Sequence, residues 1–293
     1  MEMGDYQRQA LESDRTAGEG ERSIIIPLLG LAGEAGTLLS EYKKHLRDGP
    51  AHHLHRERVA EELGDLLWYL SNVASKYDLD LNDVAAGNLA KARARWVLRG
   101  RAGTELGPPQ QFDIDYPEPE RFPRQLVVDI EEAREGDAVR VRMFVDGTQL
   151  GDPVRDNTHG EDGYRFHDVF HLTHAAVLGW SPVIRALLRR KRKSSPEVDD
   201  AEDGGRAIAI EEGLTAIIFN YAQNHGFLEG VTALDEALLR TIKGVTSQLE
   251  VSRCSEGEWE TAVLQGFDVW REITARGGGR LLLDLDARSI ALA

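Results

Sequence analysis

The chain of 293 residues holds one cysteine, Cys254. That excludes a disulfide within the chain and any zinc site built on several thiolates. Basic residues are outnumbered, 35 Lys and Arg against 50 Asp and Glu, giving a formal net charge of −15. Broad nucleic-acid binding depends on a positive surface, so a nucleic-acid partner is not expected. Long hydrophobic runs are also missing. Residues 1–22 are polar and charged, unlike a secretory leader, and the apolar stretch 24–32 falls well short of a bilayer crossing. These shortages lead us to expect a cytoplasmic protein with no membrane partner. Hydrophobic residues at 41% and charged residues at 29% are enough for at least one sizeable core.

Residues 23–98 carry helical periodicity. Apolar positions recur at helical spacing from Ile24 to Leu46 and stop at Arg47-Asp48-Gly49-Pro50. A histidine-rich connector follows, then an amphipathic helix over 56–77, a break at 78–83 and a third helix to about 98. Residues 100–123, with Gly103, Gly107, Pro108, Pro109, Pro117, Pro119 and Pro123, read as a linker. Strand chemistry begins at 125–130 and 138–145, and Asp146-Gly147 marks a tight turn before 148–150. Helices are expected again over 164–178, from Pro182 into the basic run 189–193, and over 207–225, 231–249 and 256–275, with an acidic loop at 194–205 and a short tail at the end. The fold class is mainly α. It comprises a helical domain over 1–99, a linker over 100–123, and a mostly helical domain over 124–293 with a small antiparallel β-sheet.

Several carboxylates converging on one point would suit Mg²⁺, a hard cation that prefers oxygen ligands. Glu62 and Asp65 are spaced i, i+3 on the edge of the apolar stripe formed by Leu63, Leu66, Leu67 and Leu70. Glu34 lies among small residues in Gly33-Glu34-Ala35-Gly36, where another backbone or a ligand can approach closely. By spacing alone, exposed helix charge is the commoner explanation.

The order of segments adds to this. Gly33-Glu34-Ala35-Gly36, Tyr42-Lys43-Lys44, Glu61-Glu62-Leu63-Gly64-Asp65 with Trp68-Tyr69-Leu70, and Asp83-Val84-Ala85 with Asn88 and Lys91 together resemble the MazG-like nucleoside triphosphate pyrophosphohydrolases over residues 23–96. The resemblance implies an all-α helical bundle domain. It also implies Mg²⁺, with Mn²⁺ as the alternative ion, held by Glu34, Glu62 and Asp65. Lys44, Asn88 and Lys91 would contact phosphates, and Tyr69 would lie beside the base or sugar. Either Glu34 or Glu61 would orient or deprotonate the attacking water. The implied reaction hydrolyses a (deoxy)nucleoside triphosphate to the monophosphate and pyrophosphate, in a homodimer or homotetramer. One departure stands out: Thr37 occupies the position of the family's second glutamate on the first helix. A neutral hydroxyl there implies a weaker ion site, a different ligand, or a domain that senses nucleotides rather than cleaving them.

In the second domain His167, His171 and His174 fall at i, i+4 and i+7 on one helix face, with Asp168 beside them and Glu211-Glu212 on a later helix. Histidines so spaced can ligate a transition metal, which would make a second phosphohydrolase centre; packed histidines with polar neighbours are the plainer explanation. The pattern around Glu211-Glu212, with Thr215 where Asp65 would be, also suggests a degenerate copy of the first domain. The basic run 189–193 is expected to be a solvated helix end.

Overall fold

The computed structural model describes residues 1–15, 20–96, 108–136 and 138–293; the side chains of residues 91–96 and of Glu135 lie outside that description. The chain divides into two units, Met1–Arg93 and Ala94–Ala293.

The first unit is all helix: α1 (Met3–Glu12), α2 (Glu21–Asp48), α3 (His55–Lys76) and the start of α4 (Leu81–Trp96). Helices α2 and α3 form an antiparallel hairpin closed by a short 3₁₀ turn over Gly49–Ala51. Gly49, with φ of +55°, ends α2 where the sequence pattern placed the stop. Toward the open end of the hairpin the Tyr69 ring lies against Gly30: a Cβ there would meet the ring at 2.1 Å. Asp80 caps α4, accepting the Asn82 N–H at 2.7 Å.

Helix α1 is not legible in the polar opening of the sequence, and what holds it is polar. The Gln7 amide donates to Ser75 Oγ at 3.1 Å and to Leu79 O at 2.8 Å, and its oxygen accepts Leu81 N–H at 2.9 Å. Trp68 Nε1 donates to Ser13 Oγ at 2.8 Å. Taken with the turn that follows it, α2 is long and apolar enough to cross a membrane, with mean hydropathy of 1.5 and 6% of the window buried. The stretch 24–32 alone understates it. Its midpoint, however, carries Glu34, gathered with Glu62 and Asp65 of α3, and carboxylates are costly in hydrocarbon.

The second unit packs helices against a five-stranded antiparallel sheet of order β3-β2-β1-β4-β5. Its strands are β1 (Gln125–Glu135), β2 (Ala138–Val145), β3 (Thr148–Val154), β4 (Gly278–Asp284) and β5 (Ser289–Leu292). Side chains alternate along them: Val128, Ile130, Leu281 and Leu283 are buried while Val127 and Leu282 are exposed. The helices are α5 (Asp168–Thr173), α6 (Pro182–Leu187), α7 (Pro196–Ala201), α8 (Gly205–Gln223), α9 (Glu236–Val245) and α10 (Glu256–Arg276). Trp259, Phe267 and Ile273 of α10 and Leu214 and Ile218 of α8 fill the core. Cys254, just before α10, is fully buried, with Sγ 3.8 Å from Leu178 O, and burial pushes its thiol up to about 12.

Four expectations need correction here. The tail after residue 275 is strand, not coil: Gly277, Gly278 and Gly279 have φ of +69°, +128° and +156°, which turn the chain from α10 directly into β4 against β1. Residues 108–123 are not a free linker. Asp113 is 2% exposed and accepts from Phe122 N at 2.7 Å and from Arg124 and Arg185, while Phe122 lies buried under the Arg185 guanidinium at 4.0 Å. The stretch 194–205 contains α7. The basic run is solvated only in part, with Arg189 and Lys193 exposed. Arg192 is 1% exposed, forks onto Asp203 and Glu250 at 2.7 Å, and donates to Phe112 O at 3.1 Å. These hydrogen bonds to two carboxylates hold its pKa above the usual arginine value despite burial.

Removing one partner of a buried charge pair leaves the other uncompensated, at roughly 3–5 kcal/mol. Arg192→Met should therefore destabilise the second unit by about that amount, measured as a lowered denaturant midpoint. A midpoint unchanged from the parent would mean that the pair contributes little.

Candidate functional site

The site residues expected from the sequence fall into two groups, one in each unit.

In the first unit α2 and α3 run antiparallel in one register: residue 30 meets 69 and residue 45 meets 55. That register carries Glu34 to the α3 turn bearing Glu62 and Asp65, where one carboxylate oxygen from each lies within 4.8 Å of the others. Glu34 and Glu62 are partly buried and Asp65 is exposed. Glu62 Oε2 is shut off from water without a hydrogen-bond partner. Its carboxyl is pushed above the usual range, first by lost hydration, then by the neighbouring Glu34 carboxylate, then by Asp65 and Glu61. Three converging acids with an orphaned buried oxygen fit a hard divalent cation: the donors are all oxygen and their mutual repulsion needs a positive charge.

The other expected members of this site are placed as follows. Thr37 is exposed, and its hydroxyl donates to Gly33 O at 3.3 Å within its own helix, leaving a lone pair rather than a charge for any ion. Tyr69 lies one turn beyond Asp65 on α3, its ring on Gly30 and edge-on to Trp68. Glu61 is exposed and ion-paired with Arg58 at 2.7 Å, and it is not among the three gathered acids. Lys44 is ion-paired with the buried Glu41. It lies ten residues from Glu34, about 15 Å along the helix, so α2 does not present it beside the acids. Glu41 is held by Lys44 and His52 rather than turned toward Glu34. Asn88 is exposed on α4, and the Lys91 side chain lies outside the described residues.

In the second unit α5 and the π-turn His174–Leu178 bring His167, His171 and His174 onto Glu211 and Glu212 of α8, as their spacing suggested. Glu211 is fully buried. It accepts from His174 Nδ1 at 3.1 Å, Ser181 Oγ at 3.0 Å and Val183 N–H at 3.0 Å, with His171 Nδ1 at 3.0 Å. His171 touches Glu212 with its other nitrogen at 3.4 Å; both approaches are off the hydrogen-bond angle, so they are charge contacts. His167 stacks on Tyr164 at 4.6 Å, and its Nε2 is 3.9 Å from both Asp168 and Glu212. Burial opposes charge on His171, but Glu211, Glu212 and Asp168 outweigh it and raise its pKa to about 10. Glu211, against its own burial, is held down to about 2, chiefly by the His171 charge. His174 is lowered by burial.

At the centre of this cluster His171 and Glu211 form a closed ion pair, while His167, Asp168 and Glu212 at its edge keep some exposure. A substrate cannot reach His171 or Glu211 at 0% exposure. The resemblance to a copy of the first domain does not extend to environment, since Glu211 is sealed in the core where Glu62 is only partly buried, and Thr215 is buried.

The ion pair sets a pH window for the second unit. The raised His171 pKa contributes stability that is complete below 6.5 and lost as pH rises through about 10. The lowered Glu211 pKa contributes stability that is present above 4.5 and lost as pH falls toward 2. The lowered His174 pKa adds a loss that begins as pH falls below 6.5. Glu211→Gln should lower stability at neutral pH by roughly 3–5 kcal/mol and flatten the alkaline limb of a melting-temperature profile. An unchanged alkaline limb would show that His171 is neutral in the fold.

Comparison with known proteins agrees with the division of the chain. Residues 28–97 match the MazG nucleotide pyrophosphohydrolase domain, and residues 107–293 match the MazG C-terminal domain. The Gene 37 protein of Mycobacterium phage L5 is 35% identical over 101 residues, spanning 32% of this chain and 89% of that protein. No solved structure matches. With the C-terminal family covering well over half of the sequence and the three carboxylates lying inside the pyrophosphohydrolase match, the chain belongs to the MazG family.

Proposed function

We propose that the first unit hydrolyses (deoxy)nucleoside triphosphates to monophosphate and pyrophosphate with Mg²⁺, or Mn²⁺, held by Glu34, Glu62 and Asp65. The observation that carries this reading is the convergence of those three carboxylates within 4.8 Å, with Glu62 Oε2 unpartnered. When bound, the ion neutralises phosphate charge and lowers the pKa of a coordinated water. The protein's own contributions are positional. Glu34, from the opposite helix, is the carboxylate best placed to take a proton from water at this point. Tyr69, one turn along and fixed over Gly30, offers a ring for a base or sugar to pack on. Glu61, engaged by Arg58 on the exposed face, is the weaker candidate for the base.

A hairpin with one open face does not enclose a nucleotide. Leu28, Leu29 and Leu39 of α2 and Leu63 and Leu70 of α3 are all at least 40% exposed. An apolar surface of this kind supports a homodimer or homotetramer, in which a second copy closes the site. The reducing cytoplasm, where nucleotides are found, is the proposed setting.

Thr37 favours a second reading, in which the domain senses nucleotides with weakened catalysis. One set of assays separates the two. If the unit is an enzyme, the parent releases pyrophosphate from at least one common nucleoside triphosphate, and Glu62→Gln lowers the rate about a hundred-fold or more. Thr37→Glu should lower the Mg²⁺ concentration needed for half-maximal rate. Nucleotide binding without turnover by either the parent or Thr37→Glu would establish the sensor instead.

A further inference from the structure

The closed end of the α2–α3 hairpin gathers a second set of donors, unlike the first in chemistry. His45 stands in the last turn of α2, His52 follows the 3₁₀ turn, and His55 opens α3. One ring nitrogen from each lies within 4.8 Å of the other two. The rings of His45 and His55 stack at 4.1 Å, and that of His52 lies 5.4 Å from His55. The backbone between them is fixed by its own hydrogen bonds, His52 N–H to Gly49 O at 3.1 Å and His55 N–H to His52 O at 3.3 Å.

Neutral imidazole is the form in which histidine binds a metal. The Nδ1 atoms of all three are shut off from water and have no hydrogen-bond partner. On the far side of His52, Nε2 is 3.5 Å from Oε2 of Glu41, which is buried and also engaged by Lys44. A carboxylate behind a histidine fixes its ring and makes it a better donor to an ion on the opposite nitrogen.

We propose that His45, His52 and His55 form a site for a borderline divalent transition ion of the Zn²⁺, Co²⁺ or Ni²⁺ type, with Glu41 positioning His52. Nitrogen donors of this kind discriminate against Mg²⁺. Tetrahedral ligation at about 2.0–2.1 Å sets neighbouring nitrogens roughly 3.3 Å apart, a contraction within reach of side-chain rotation. His45 is eleven residues from Glu34, about 16 Å along α2, so this ion is separate from one held by the three carboxylates. Its effect would be to staple the reversal that sets the register of the two helices.

The test is Co²⁺ titration of the full chain, purified without a polyhistidine tag. The expected result is a strong visible absorption of four- or five-coordinate cobalt, saturating at one ion per chain and displaced by Zn²⁺ but not by excess Mg²⁺. His52→Gln, in the turn rather than in a helix, should weaken Co²⁺ binding about ten- to a hundred-fold, and Glu62→Gln should leave the band unchanged. Should His52→Gln fail to fold, histidine modification by diethyl pyrocarbonate, mapped by mass spectrometry on the parent, gives the answer: Zn²⁺ must protect His45, His52 and His55 together while leaving the exposed His53 reactive. Weak octahedral cobalt absorption alone, a band that survives His52→Gln, or a lack of protection at the three histidines would overturn the assignment.

Discussion

The register of the α2–α3 hairpin is the constraint on which the first unit depends. A turn of a few residues joins two long helices, so the partner of every residue on α2 is fixed once the turn is fixed. Pairing 30 with 69 brings Tyr69 onto a glycine that can accept it, and pairing 45 with 55 stacks two imidazoles. The same alignment forces Glu34 into the company of Glu62 and Asp65. Nothing in the local chemistry of three like charges favours that meeting. The register of the hairpin imposes it, and the repulsion helps to raise the Glu62 pKa.

The two units treat buried charge in opposite ways. In the second, Glu211 and Arg192 are sealed in the core and each is matched by several partners. These networks join segments distant in sequence: residues 112–124 to α6, the loop before α8 to the 3₁₀ turn over Glu250–Arg253, and α5 to α8. They act as internal clamps, and their enclosure is the reason they are poor candidates for chemistry. In the first unit the acids are left mutually opposed and partly open.

The mainly α fold and the two hairpin helices were legible in the sequence because periodicity reports which residues share a helix face, whereas the grouping of Glu34 with Glu62 and Asp65 came from the family resemblance, spacing alone favouring exposed charge. Three strands of the sheet were legible for the same reason. What was missed depends on partners far along the chain. Arg280-Leu281-Leu282-Leu283 has no β-branched residue to mark it as strand; pairing with β1 decides its conformation. Residues 108–123 carry the prolines and glycines of a linker, yet Asp113 and Phe122 anchor it to Arg185, more than sixty residues away. Arg192 looked solvated because its run of basic neighbours is mostly so; the acids that enclose it, Asp203 and Glu250, lie beyond any local window. The histidine-rich connector was visible as composition, but only the fold shows that His53 is excluded from the cluster its neighbours form.

The sealed environment of Cys254 has a practical consequence. A thiol without solvent access, and with its ionisation pushed far above neutrality, does not react with maleimides or methanethiosulfonates under native conditions. The natural chain is thus in effect a cysteine-free background. A single cysteine introduced on the exposed face of α2 would take a spin label or fluorophore alone, without first altering the core.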